Sequence, residues 1–130
     1  MGTFAKNIDI NEGMKKMIEE NAMGFATVDK KGEPHNIAVG FVQVISKNQL
    51  LISDNWIVES VENIKSNTNV SLVVWNKDWK EACIGYELKG KAEYFTSGRW
   101  INEIKKLPIN KGEPCKGAIL ITINKIKILD

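Results

Sequence analysis

The sequence predicts a mainly β domain with inserted helices, built on about six mostly antiparallel strands that close into a small barrel. Three observations carry this. Apolar runs of strand length recur along the 130 residues, among them His35–Ser46, Val70–Trp75 and Gly117–Leu129. Short turn-forming clusters, Lys30-Lys31-Gly32-Glu33 and Lys47-Asn48-Gln49, separate neighbouring runs by only a few residues, which favours antiparallel pairing. So many strands in so short a chain leave exposed edges unless the sheet closes on itself.

Taken in order, residues 1–10 form an arm ahead of a single domain that spans the 130 residues. Asn11–Asn21 reads as a helix: Asn11 caps it, and Met14, Met17, Ile18 and Ala22 share one face. Gly24–Asp29, His35–Ser46 and Leu50–Ser53 follow as strands of a three-stranded meander, with Gly32 supplying a positive φ in the first turn. After a short helix, Val70–Trp75 and Cys83–Phe95 are strands joined by the polar loop Asn76–Ala82. Ser97–Leu107 reads as a helix capped by Ser97, with Trp100, Ile101, Ile104 and Leu107 on its buried stripe. Pro108–Lys116 is a loop, and Gly117–Leu129 is the final strand. Its apolar start, Gly117–Ile123, is a candidate for the face that a small barrel buries against a second copy.

Composition excludes several classes. Lys and Arg number 18 against 16 Asp and Glu, for a net charge of +2 with the signs interspersed, so no basic stripe points to nucleic acid. No run of about 18 apolar residues suggests a membrane span, and the N-terminus lacks the pattern of a signal peptide, which together imply a cytoplasmic protein. Cys83 and Cys115 are far apart, without metal-ligand spacing, and are expected as free thiols. His35 is the only histidine, and its place after a turn proline predicts a surface position. No nucleophile elbow or phosphate-binding glycine loop is present.

The stretch that carries chemistry is Asp54–Ser71. Asp54 and Asn55 end a strand, Val58, Val61 and Ile64 form a helical stripe, and Asn67-Thr68-Asn69 stops the helix. A strand followed by a turn and a helix N-terminus presents free N–H groups and the positive end of the helix dipole to an anion. Ser60 and Asn63 stand where a hydroxyl and an amide add hydrogen bonds to it. Trp56, in the turn, is placed to line a ligand or a subunit contact, and Trp75 and Trp100 fit buried stripes.

Three segments extend this reading. GFATVDKKGEPHNIAVGFVQV, LLISDNWIVESVENIKSNTNVSLVVW and GYELKGKAEYF resemble the pyridoxamine 5′-phosphate oxidase-like FMN-binding split barrels, in particular their small FMN-binding members. The resemblance spans roughly residues 14–125. It rests on A-T-x-D-x-x-G-x-P from Ala26 to Pro34, D-N-x-x-x-x-S-x-x-N from Asp54 to Asn63, and Y-x-L-K-G-x-A-E from Tyr86 to Glu93. It implies a six-stranded antiparallel split β-barrel that forms a homodimer, with FMN in grooves between protomers. Carried across, the phosphate side falls on Ser53, Asp54, Asn55, Ser60 and Asn63, and the ring side on Ile37, Ala38, Val39 and Gly40. The partner subunit would contribute from near Cys115 and Lys116. Relatives usually place a lysine beside the hydroxyl residue at the helix start, where this sequence has Glu59, so Lys116 or Lys65 would have to supply the cation. The implied function is a small dimeric flavoprotein, an oxidoreductase or electron carrier whose chemistry resides in the flavin. The alternative is a non-catalytic split-barrel dimer that has lost tight FMN binding or takes another ligand. True pyridoxamine 5′-phosphate oxidase activity is not expected, since Arg99 is the only arginine.

Overall fold

The computed structural model of the protein describes residues 2–40, 42–110 and 112–130. Strand β1 (Thr3–Phe4) precedes helix α1 (Glu12–Glu20), which starts where Asn11 Oδ1 accepts the Met14 N–H at 2.9 Å. β2 (Met23–Val28) and β3 (Pro34–Val39) form a hairpin. In its turn Asp29 Oδ1 accepts the N–H groups of Lys31 and Glu33, and Gly32 takes a φ of 83°. β4 (Val42–Ser46) and β5 (Gln49–Asp54) form a second hairpin. α2 (Glu59–Ser66), β6 (Asn69–Trp75), β7 (Gly85–Phe95) and α3 (Arg99–Lys105) follow. A single 3-10 turn at Pro108–Asn110 leads to β8 (Gly117–Leu129).

The strands run antiparallel in the order β3-β2-β6-β7-β8-β5-β4, with β1 paired to β8. β3 and β4 are therefore opposite edges of one sheet, yet only residues 40 and 41 separate them in the chain. Three peptide steps span at most about 11 Å, so the two edges must come together and the sheet must roll up. No pairing joins β3 to β4 among the described residues, which leaves the barrel split along that seam. The antiparallel split barrel with inserted helices is thus present, but its strands are divided differently from the sequence expectation. The long strand His35–Ser46 is two strands on opposite edges, and the three-stranded meander is two separate hairpins. With the short β1, the described strands number eight, not six. Phe41, inside that expected strand, lies outside the described residues, as do Met1 of the arm and Lys111 of the Pro108–Lys116 loop.

The barrel interior is filled from every strand except β1, with Phe25, Leu72, Leu88 and Ile121 almost fully buried, and is plugged by Met14 and Ile18 of α1. A second, smaller core lies outside the barrel. There Ile101 and Ile104 of α3 cover Leu51, Ala118 and Leu120. This corrects the expected dimer face. Gly117–Ile121 is buried on both sides because one side faces the barrel and the other faces α3, and of the run to Ile123 only Thr122 is partly exposed. Two further expectations fail locally. Ser97 does not cap α3, whose N-cap position is Gly98 at φ 87° with no side-chain cap. Trp75 is half-exposed at the end of β6, although Trp100 does pack on the second core.

Candidate functional site

The turn between β5 and α2 is built on a buried carboxylate. Asp54 is 0% exposed, and its Oδ1 accepts the Ile57 N–H at 3.0 Å, which closes the turn. Tyr94 O–H donates to Oδ2 at 2.6 Å, and Lys116 Nζ lies 2.9 and 3.1 Å from the two carboxylate oxygens. Lys116 also donates to the Ile57 carbonyl, so one ammonium ties β8 to both ends of the turn. Tyr94 crosses directly over Gly117, where a Cβ would overlap the phenol. A neighbouring buried network joins the 3-10 turn to β5. Ser53 Oγ is 2.6 Å from Asn55 Oδ1 and 3.0 Å from Asn110 Oδ1, donating to one of them, and Asn55 Nδ2 donates to Asn110 Oδ1 at 3.2 Å.

These contacts carry a measurable consequence. Burial, followed by the hydrogen bond to Asp54, pushes the Tyr94 phenol above its ordinary value of about 10. The folded state therefore holds this proton more tightly than the unfolded chain does. The associated stability is complete below about pH 10 and is lost as the pH rises from there towards the folded-state value. Urea titrations from pH 8 to 11 should show wild-type stability falling more steeply above pH 10 than that of Tyr94→Phe, and parallel profiles would refute the assignment.

Beside this turn lies an open pocket of about 320 Å³. One wall is β3, through His35, Ile37 and Ala38. The other is the segment from Trp56 to Ser60, which enters α2. α2 is held over β2 by Val61 and Ile64 in the core and by Asn63 Nδ2, which donates to Thr27 Oγ1 at 3.0 Å. Ser60 is among the residues that line the pocket, and its Oγ is buried with no hydrogen-bond partner among the described residues. A buried hydroxyl left unpaired is costly, so its place at the start of α2 marks a position where a bound polar group would be satisfied. At the mouth, His35 Nδ1 stands 3.1 Å from Glu59 Oε2. The rim carries two large exposed apolar side chains, Trp56 at 76% and Val58 at 68% exposure.

Of the residues singled out in the sequence, Ile37, Ala38 and Ser60 meet at this pocket. Val39 points into the core, and Gly40 is exposed beyond the end of β3. Asn63 is turned towards Thr27. Ser53, Asp54 and Asn55 lie behind the turn with their side chains in the two buried networks. Lys116 is bound to Asp54 of its own chain, and Lys65 to Glu62 at 3.0 Å. The half-buried His35, expected at the surface, is a pocket residue because β3 is an edge strand that the turn before α2 overhangs. Tyr94, Asn110 and Thr27 carried no signal of their own, since each acts through a partner 36 to 57 positions away in the chain.

The pocket suits one part of a flavin. Ile37, Ala38, Ile57 and the rim tryptophan offer an apolar bed for a planar ring, and Ser60 offers a polar contact. A phosphate dianion is not matched. The described lining has no lysine or arginine, and Glu59 adds negative charge.

The fold and this turn place the molecule among the split-barrel flavoprotein-like domains. The family model described as pyridoxamine 5′-phosphate oxidase matches residues 10–129, and the chain belongs to that family. It is 32% identical over 125 residues, 92% of its length and 80% of the relative's, to the uncharacterized protein MJ0282 of Methanocaldococcus jannaschii. HupZ of Group A Streptococcus has a similar structure, with a TM-score of 0.81 at 24% identity over 90% of this chain and 91% of that one. An FMN-binding protein of Syntrophomonas wolfei subsp. wolfei gives 0.74 at 16% identity, over 89% and 83%. These structural likenesses concern the fold. Among the described residues no helix is long and apolar enough to cross a membrane.

Proposed function

We propose that this protein is a flavin-binding split barrel that takes FMN in the pocket between β3 and the start of α2, as a homodimeric oxidoreductase or electron carrier of the cytoplasm. The observation that carries this reading is the buried, unpartnered Ser60 Oγ at the polar end of an apolar cleft. Ile37 and Ala38 serve the ring, with Val39 and Gly40 shaping the strand beneath it. Asp54, Ser53 and Asn55 act from behind by fixing the turn, Asn63 by fixing α2, and Lys116 by anchoring both. The cleft is open, and its volume lies at the low end of the range of about 300–1,000 Å³ typical of ligand sites. Its exposed Trp56 and Val58 rim suits cover by a second copy, which supports the dimer.

The test exploits an opposition of sign. Ser60→Ala removes a hydroxyl that the ligand-free protein leaves unpaired, so it should raise ligand-free stability by about 1 kcal/mol. The same change should weaken flavin binding by about 0.5–1.5 kcal/mol, the worth of one hydrogen bond. Thermal melts without flavin and fluorescence titration with FMN read the two effects. A wild type that binds no flavin at tens of micromolar would overturn the proposal and favour the second reading, a split-barrel dimer without tight FMN binding. The Glu59–His35 pair at the cleft mouth is the observation on that side.

A further inference from the structure

We infer that the pocket is indifferent to the phosphate: it recognises the ring and the hydroxylated chain of a flavin, and takes the unphosphorylated form as readily as FMN. The inference rests on the flavin reading of this pocket and concerns the charge at its polar end. The only titratable side chains in the described lining are His35 and Glu59, and they face each other at 3.1 Å. Glu59 is 74% exposed and lies in the first turn of α2, so the positive end of that helix already has a carboxylate beside it. Lys116, which reaches the Ile57 carbonyl of the same segment, spends its charge on the buried Asp54 carboxylate. Lys65, at the far end of the helix, is paired with Glu62. A dianion placed here therefore meets a helix terminus already compensated and no unspent lysine or arginine in the lining. Ser60 Oγ, by contrast, is a neutral partner suited to a hydroxyl, which can both donate to it and accept from it.

Titration of the protein with riboflavin and with FMN, followed by flavin fluorescence at low salt, tests this. The expected dissociation constants agree within about threefold. Glu59→Lys, at a side chain 74% exposed, is expected to raise the affinity for FMN relative to riboflavin about tenfold, since it exchanges repulsion for attraction near the surface. That gain should shrink in 0.5 M salt, where screening is nearly complete beyond a few ångströms. FMN binding more than tenfold tighter than riboflavin in the wild type would overturn the inference and show that a cation from outside this lining, such as one from a second copy, reaches the polar end. Riboflavin binding more than tenfold tighter than FMN in the wild type would also overturn it, by showing that the Glu59 carboxylate excludes the phosphate. Binding of neither flavin would fail the flavin proposal itself, and the inference with it.

Discussion

Lys116→Met is expected to destabilise the protein by about 3 kcal/mol, more than any change of comparable size at a half-exposed side chain. The reason lies with its partner. Asp54 is 0% exposed, whereas the Lys116 side chain is 48% exposed. Removing the ammonium leaves a carboxylate in the interior with only the Tyr94 hydroxyl and the Ile57 N–H to compensate it. Breaking a buried pair in this way costs about 3–5 kcal/mol, and the partial exposure of the lysine places the value at the lower end. The reverse deletion should be milder. Asp54→Asn keeps Oδ1 as acceptor for the Ile57 N–H, replaces Oδ2 with an amide NH2 that can donate to the Tyr94 hydroxyl oxygen, and frees a lysine that can turn to water, at a cost of about 1–2 kcal/mol. The double variant should recover part of the Lys116→Met loss, because it removes the stranded charge. Urea midpoints at constant slope measure all three. A Lys116→Met within 0.5 kcal/mol of wild type would mean that water hydrates Asp54 directly.

Ile104→Ala should cost about 2–4 kcal/mol and change the behaviour of the molecule in solution as well as its stability. Ile104 is 0% exposed and is the centre of the cover that α3 lays over Leu51, Ala118 and Leu120. The loss combines the transfer energy of the deleted methylenes with the cavity they leave. α3 has only seven residues and no side-chain cap, so little besides this packing keeps it helical. Once it loosens, an apolar strip of β5 and β8 meets solvent, and light scattering should detect self-association at concentrations where the wild type is stable. A fully soluble variant with near-native stability would show that the strip is covered by something other than α3.

The sequence made some parts of this legible and hid others for physical reasons. Gly117–Leu129 was bounded to the residue because a glycine and a continuous apolar run mark its start. The Asn11 cap and the Gly32 turn were legible because each is settled within four residues. The break between Val39 and Val42 was not, since an apolar strand that crosses from one sheet edge to the other has the same alternation as one that continues. The cover of Gly117–Ile123 by α3 was hidden for a similar reason: a run buried on both sides does not reveal what buries the second side. At the site, Ser60 could be singled out because helix starts have known chemistry, and its Oγ is buried and unpartnered among the described residues. The pairing of Asp54 with Lys116 was not legible. Polar residues in a turn suggest ligand contacts, but here they close the turn on each other.

The position of β8 bears on how the chain reaches this state. It is the hub of the sheet, pairing with β1, β5 and β7, yet it follows all of them in the chain. During synthesis, β5 and β7 emerge before the strand that lies between them in the sheet. The strands β3-β2-β6-β7 and the hairpin β5-β4 can pair as they emerge, but the two parts become one sheet only when residues 117–129 are added between them. Folding gated by the last strand is slow by nature, because distant segments must meet before the sheet is complete.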